Sequence, residues 1–168
     1  VAGDGLLVTL RDATEAETVR MALAASERAL EDVRRELREQ TELFNTMESL
    51  ARTGHWRRIE DPGETVLLWS PGLCDIAGFE RQEWVDPQRA VSGILAEDLP
   101  LFNQARAGAQ DVDVEYRWQR PDGEVRWMRS RVQRALPRDG VQVVMGVVQD
   151  VTDEHRAAEQ LREQLLFI

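Results

Sequence analysis

The stretch Glu115-Tyr-Arg-Trp-Gln-Arg-Pro-Asp-Gly-Glu-Val-Arg-Trp-Met-Arg129 decides the fold of this 168-residue chain. Apolar residues alternate with charged ones from Asp111 to Trp118, a pattern that is typical of a half-buried β-strand. Pro121-Asp122-Gly123 then supplies the residue types of a tight turn. Because a second strand is predicted over 124–136, the stretch predicts a β-hairpin.

Further strands and short helices surround this hairpin. Two short strands are predicted at 55–60 and 65–69, on either side of an Asp-Pro-Gly turn. Residues 70–109 contain short helical pieces broken by Pro and Gly, and a last strand is predicted over 141–148. The order of two strands, small helices and three strands predicts an α+β domain with an antiparallel sheet and its helices on one side.

A long helix is predicted over residues 14–51, which contain no Pro or Gly and are rich in Ala, Leu, Glu and Arg. Thr14 and Glu17 match a capping box at its start. Apolar residues recur in heptads, which predicts a coiled coil that pairs two chains, with an amphipathic helix lying on a domain as the alternative. The predicted dimer seam consists of Leu23, Leu30, Val33, Leu37, Phe44 and Met47.

The two ends of the chain share an order of elements. Near the start, an apolar run at 6–10, interpreted as a strand, leads into Asp12-x-Thr14 and the long helix. Near the end, the last strand leads into Asp150-x-Thr152 and a second polar helix. Such an echo indicates tandem copies of one module. We therefore expect a remnant of a preceding module at 1–13, a linker helix at 14–51, a domain at 52–151 and an exit helix at 152–168.

Composition excludes several functional classes. The chain has 21 basic residues, all of them Arg, and 31 acidic ones, which gives a formal net charge of −10. Chemistry that needs a lysine, such as a Schiff base or a P-loop, is therefore absent. An acidic pI near 4.8 argues against a nucleic-acid-binding face and against attachment to an anionic membrane. Without a secretory leader or an apolar span we expect a cytoplasmic protein.

The residues described so far resemble a PAS domain, of the subtype common in bacterial sensor histidine kinases and diguanylate cyclases. The resemblance rests on residues 51–56, 69–79, 115–129 and 146–152. In one loop the chain departs from the family, because it has Leu95-Ala-Glu-Asp98 where the family often has His-Pro-Asp-Asp. The resemblance implies a five-stranded antiparallel sheet with short helices over one face, and a cavity between them for a small molecule or a cofactor.

The resemblance also implies a route for a signal. Family members pass signals through helices at both ends, often as parallel dimers, to an output domain in the same polypeptide. We expect a histidine kinase as that domain, with a diguanylate cyclase as the rival, and no catalytic residue in this chain. Asp150 and Thr152, and Asp12 and Thr14 in the upstream copy, are then expected to transfer the signal. Capping of the exit helix by Asp150 or Thr152 is the simpler alternative.

The candidate cavity residues are aromatic, although core packing alone also accounts for them. They are Trp69, Phe79, Trp84, Phe102, Tyr116, Trp118 and Trp127. The alternatives to a small-molecule sensor are a ligand-free structural adaptor and a flavin or haem sensor.

No cofactor and no metal are predicted. His55 is of a type that binds haem iron, but it begins a strand, whereas relatives present that ligand from a helix. Cys74 lacks the Asn-Cys-Arg motif of flavin-binding relatives, and as the single cysteine it is interpreted as a small buried residue. His155 is interpreted as solvent-exposed.

Six arginines form a local basic cluster in the last three strands: Arg117, Arg120, Arg126, Arg129, Arg131 and Arg134. The cluster is interpreted either as a site for an anionic ligand or acidic partner, or as a solvated strand face. The acidic residues Asp111, Asp113 and Glu115 are expected to pair with it across the hairpin.

Overall fold

A computed structural model describes residues 2–167 except Pro62, 108–111 and 135–140; for 2–11, Arg106 and Arg134 it describes the backbone alone. In chain order the elements are helix α1 (Ala2–Ala51), strands β1 (Thr53–Asp61) and β2 (Glu64–Trp69), helix α2 (Pro71–Ala77), a 3-10 turn (Arg89–Val91), helix α3 (Leu99–Ala107), strands β3 (Val112–Gln119), β4 (Val125–Arg134) and β5 (Gln142–Asp150), and helix α4 (Thr152–Leu166).

The five strands form one antiparallel sheet in the order β2-β1-β5-β4-β3. The predicted fold class is therefore confirmed. The hairpin has the register expected from its sequence, since Glu115 faces Arg129 and Trp118 faces Arg126 across β3 and β4. The described strand ends lie within two residues of the predicted ones, because alternation defines a strand's middle better than its ends.

The start of α1 differs from the prediction. Residues 6–10 are helical rather than extended, and Thr14 lies inside the helix, where its carbonyl accepts a hydrogen bond from Thr18 Oγ1 at 2.9 Å. The predicted strand and capping box are therefore wrong. A short apolar run is compatible with strand or helix, and a strong helix former next to it propagates cooperatively. Whether 1–13 belongs to a preceding module stays a prediction.

The chain divides into two compact units, residues 1–44 and 45–168. In the first unit the large apolar side chains that the structure describes, from Val19 to Phe44, are all at least 50% exposed. The predicted seam residues Leu23, Leu30, Val33, Leu37 and Phe44 are among them. Met47, in the second unit, is 59% exposed.

The core of the second unit lies between the sheet and the short helices. The period-two pattern of β3 buries Val114, Tyr116 and Trp118 on the inner face. From the other side α2 buries Leu73 and the fully enclosed Cys74. Helix α2 begins at Pro71. The preceding residue, Ser70, caps the helix, because its Oγ accepts a hydrogen bond from Leu73 N.

Helices α1 and α4 each contain polar as well as apolar residues. Across the described residues no helix is long and apolar enough to cross a membrane.

Candidate functional site: a cavity and a helix junction

A cavity of about 280 Å³ lies between the inner face of the sheet and α2, the 3-10 turn and α3. All five strands contribute to its wall, because alternate residues of each strand point to this face. The lining is mostly aliphatic and aromatic, as in most small-molecule pockets. The site therefore combines an apolar interior with a small number of polar side chains.

Four of the seven candidate aromatic residues line this cavity: Trp69, Phe102, Tyr116 and Trp118. Phe79 lies outside the lining, where its ring stacks on Trp69 at 5.5 Å and meets Trp118 edge-on at 5.9 Å. Phe79 thus supports two of the cavity walls from behind. Trp56, which sequence reasoning did not single out, also lines the cavity.

Two of the candidate residues lie elsewhere. The Trp84 residue is 62% exposed and forms an isolated bridge to the edge strand β2. Trp127 points to the opposite face of the sheet, because Met128, its neighbour on β4, takes the inner position. There the Trp127 ring stacks on the His155 ring with centroids 4.0 Å apart.

The polar groups of the cavity lie in two places. At the β1–β2 end, Arg58 Nε lies 2.7 Å from Glu60 Oε1, an ion pair in which the Nε–H makes no hydrogen bond. In the interior, the Tyr116 and Ser130 side chains are 6% and 3% exposed. Burial raises the pKa of the Tyr116 hydroxyl well above its ordinary value, so this group remains a proton donor.

The two other candidate ligands do not line this cavity. His55 Nδ1 lies 2.7 Å from Glu48 Oε1 near the end of α1. Cys74 is buried as predicted, with its sulfur 3.5 Å from the carbonyl oxygen of Gln82. Among the residues that the structure describes, no group of three or more His, Cys, Asp and Glu side chains is arranged to hold a metal ion.

A second feature of interest is the junction at the end of β5. The Asp150 carboxylate is buried and accepts hydrogen bonds from Thr152 N at 3.0 Å and Arg126 Nη1 at 2.9 Å. The Thr152 hydroxyl donates to the same carboxylate and accepts from Trp127 N at 3.0 Å. Asp150 therefore caps the first turn of α4, whereas Thr152 ties that turn to β4.

The end of α1 meets the same junction through Arg52. This residue has a left-handed backbone, with φ of +49°, which ends the helix. Its carbonyl accepts a hydrogen bond from Asp150 N at 2.9 Å, and its guanidinium pairs with Asp153 on α4. One cluster of bonds thus joins the last turn of α1, the last strand and the first turn of α4.

The comparisons with known proteins agree with this architecture. A family model described as the PAS fold matches residues 66–148. These residues belong to the PAS fold family. The matched region runs from β2 through β5, and β1 completes the same sheet between those two strands.

Solved structures of PAS proteins are similar to this chain. A sensory box histidine kinase/response regulator from Burkholderia thailandensis E264 is 26% identical with a TM-score of 0.57, and the match covers 74% of this chain and 98% of that one. A putative light and redox sensing histidine kinase domain from Haloarcula marismortui is 23% identical with a TM-score of 0.47, over 70% and 99% of the two chains. The search of curated proteins finds no match. The chain therefore contains a PAS domain that is similar to the structure of a sensory box histidine kinase/response regulator.

The Asp12-x-Thr14 motif does not form a second junction. Both residues lie within α1, and neither follows a strand. Asp12 and Thr14 therefore do not form an arrangement like that of Asp150 and Thr152, on which their expected signal-transfer role depends.

The basic cluster of the PAS domain is largely paired with acidic side chains. Arg129 makes a two-pronged contact with Asp113 at 2.6 and 2.8 Å, and Arg131 lies 3.4 Å from the same carboxylate. These guanidinium groups lower the pKa of Asp113 below its ordinary value. The pairing predicted across the hairpin is confirmed for Asp113, whereas Asp111 and the Arg134 side chain lie outside the described residues.

His155 differs from its interpretation as a solvent-exposed residue. Besides stacking on Trp127, its Nε2 lies 2.9 Å from Glu115 Oε2, and 35% of the side chain is exposed. The first turn of α4 is thereby held against β3 and β4. The stacking needs a helix to return over the outer face of the sheet, which the sequence pattern does not specify.

Two further clusters were missed by sequence reasoning. Asp98, the residue before α3, accepts hydrogen bonds from Arg117 Nη2, Nε and N at 2.7, 2.9 and 2.7 Å and so joins the start of α3 to β3. The Arg117 bonds lower the pKa of Asp98 below its ordinary value. Glu48 on α1 is only 5% exposed and accepts a hydrogen bond from Ser70 Oγ at 3.2 Å. For Asp98, the only sequence signal was its position in the Leu95–Asp98 loop. For Glu48 the sequence carries no signal, because it resembles any other acidic residue on the helix.

Proposed function

We propose that this chain is a sensory and dimerising PAS module of a multidomain bacterial signalling protein. In this proposal the state of the PAS domain is relayed through coiled-coil helices to an output domain in the same polypeptide, a histidine kinase. The observation that carries the proposal is the junction of Arg52, Asp150, Thr152 and Asp153, because it bonds the core sheet to both flanking helices.

The likeness to a sensory box histidine kinase/response regulator supports the choice of output domain. A change in the cavity would reach the junction through β4 and β5, whose residues Ser130 and Val148 line the cavity and whose ends hold Trp127 and Asp150. Such a change biases the helices between two arrangements rather than pushing them apart.

The dimer is proposed to form through Leu23, Leu30, Val33, Leu37, Phe44 and Met47. Each of these side chains is at least 50% exposed in the single chain, and pairing two helices along an a/d seam would bury them. Burial of apolar area contributes about 25 cal/mol per Å², so a seam of this length is a substantial source of association free energy.

Light scattering tests the dimer with the double variant Leu30→Glu/Leu37→Glu. The parent chain of 19.2 kDa is expected to scatter as a species of twice that mass, and the variant as a monomer. Thr18→Glu/Ala25→Glu is the matched control, because it adds the same charge at exposed positions off the seam and should remain dimeric. Equal masses for the parent and the seam variant would show that the seam is wrong.

A further inference from the structure

Two largely buried side chains in the cavity wall carry hydroxyl groups. Tyr116 and Ser130 are both more than nine-tenths buried and line the cavity, and among the described residues the structure gives neither hydroxyl a hydrogen bond. They are diagonal neighbours on the inner face of the sheet, because Tyr116 faces Met128 and Ser130 faces Val114 in the register of β3 and β4. Neither hydroxyl oxygen is among the enclosed polar atoms that lack a hydrogen bond, so both oxygens reach open space, where a ligand oxygen would accept their hydrogen bonds.

The charges at the other end of the cavity compensate each other. Arg58 and Glu60 form a close ion pair with no net charge, and the Arg58 Nε–H, which makes no hydrogen bond, remains a donor for a neutral acceptor. A charged ligand would have to leave water for an apolar interior without a counter-ion of its own, which is strongly unfavourable. The ligand that fits this charge pattern is neutral.

The size and the walls of the cavity restrict the ligand further. A volume of about 280 Å³ corresponds to roughly nine water molecules at about 30 Å³ each. Trp56, Trp69 and Trp118 present aromatic surfaces, against which a planar ring packs edge-on or with an offset. Space and shape therefore favour a single ring over a tricyclic or tetrapyrrole ring system.

We infer that the cavity takes a neutral, single-ring molecule that carries a carbonyl oxygen, which accepts hydrogen bonds from the Tyr116 and Ser130 hydroxyls. This inference rests on the proposed sensory function and names the ligand class for it. Tyr116 is the stronger donor of the pair, because a phenol is more acidic than an aliphatic alcohol, and it remains protonated in its buried position. The ring contributes affinity by apolar burial, and the hydroxyls select the carbonyl.

Calorimetric titration of the whole 168-residue chain with four probes of similar size tests the ligand class. Acetophenone is neutral and has the carbonyl, ethylbenzene lacks it, and benzoate and benzylammonium carry opposite charges. We expect acetophenone to bind about five- to tenfold more tightly than ethylbenzene, as one or two neutral hydrogen bonds allow, and both ions to bind more weakly than ethylbenzene. Equal or tighter binding of either ion would overturn the inference.

Tyr116→Phe removes the hydroxyl alone and tests its role. In this variant acetophenone affinity is expected to fall to about that of ethylbenzene, whereas ethylbenzene affinity stays unchanged. Ala90→Trp, which fills the cavity from the 3-10 turn, should abolish binding of both. An equal change for the two probes in Tyr116→Phe would contradict the selection of a carbonyl by this hydroxyl, and thermal melts establish that each variant is folded.

The outcomes separate this inference from the proposed function. If none of the probes binds to a folded, dimeric parent chain, the ligand class is wrong and the dimeric relay is unaffected. If the parent chain is monomeric but binds acetophenone with the expected dependence on Tyr116, the proposed dimeric module fails and the ligand class stands.

Discussion

In the part of the chain that the structure describes, the first unit exposes its large apolar side chains, whereas the second unit encloses an apolar core. In residues 12–44 these side chains are all at least half exposed, whereas in 45–168 Leu73, Tyr116, Trp118 and Met128 are at most 6% exposed. The helix of the first unit is supported by local bonds and by helix-forming residues, and the second unit by contacts between distant strands and helices. The second unit is therefore stabilised by its own core, whereas the proposed dimer would bury the exposed side chains of the first unit.

The largest effect is expected where a core leucine is compared with a seam leucine. Leu73→Ala leaves a cavity beneath the sheet and should lower the free energy of unfolding of the PAS domain by about 2–5 kcal/mol. Leu37→Ala removes the same atoms from a side chain that is 61% exposed, so the domain should change by less than about 0.5 kcal/mol. Urea unfolding monitored by tryptophan fluorescence measures both.

An effect of similar size for the two leucines would contradict the distinction between core and seam. A separate dilution series monitored by light scattering tests the dimer, because Leu37→Ala should weaken it whereas Leu73→Ala should not. A folded Leu73→Ala variant with a weakened dimer would mean that the two units do not draw on separate sources of stability.

A smaller effect is expected at the ion pair between Asp98 and Arg117, which joins α3 to β3. Because Arg117 lowers the pKa of Asp98 in the folded state, the pair stabilises the fold above the ordinary pKa of 3.8. That stability is lost as the pH falls through the lowered pKa. Asp98→Asn should therefore cost about 1–2 kcal/mol at neutral pH and progressively less in acid, as measured by urea unfolding at a series of pH values.

Glu97→Gln is the matched control for Asp98. Glu97 lies 3.7 Å from the same guanidinium but is 73% exposed, so its loss should change stability by less than about 0.5 kcal/mol. A cost for Asp98→Asn that does not diminish in acid would rule out the ion pair as its origin.

The smallest effect is expected at a local ion pair of the first unit. Asp32 and Arg35 are separated by 2.7 Å and about two-thirds exposed, and they are three residues apart on α1. Asp32→Asn should cost at most about 0.5 kcal/mol of helix stability, which circular dichroism during thermal unfolding detects as a small loss of helix. A loss as large as that of Asp98→Asn would remove the distinction between local and long-range pairs.

The sequence predicted the elements whose pattern is local. The alternation from Val112 to Trp118 and the turn at Pro121–Gly123 define the hairpin without reference to any other part of the chain. Residues 6–10 were misassigned because a short apolar run has no period that separates strand from helix.

The candidate site was predicted only in part, for a reason that one strand illustrates. Trp127 and Met128 are adjacent apolar residues on β4, and the sequence does not decide which of them points inward. In the structure Met128 lies on the inner face, together with Ser130 and Val132. The Arg58–Glu60 pair and the buried Glu48 depend on three-dimensional packing, for which charge patterning carries no signal.

The junction at Asp150 connects the PAS core to both helices rather than merely capping α4. Amide hydrogen exchange of the 168-residue chain tests it most directly in Asp150→Asn, with Leu73→Ala as the control for overall loss of stability. We expect faster exchange in the first turns of α4 and also at the end of α1, around Ser49–Arg52, beyond any increase shared with β3. Faster exchange confined to α4, with the end of α1 unchanged, would reduce Asp150 to a helix cap and contradict the relay.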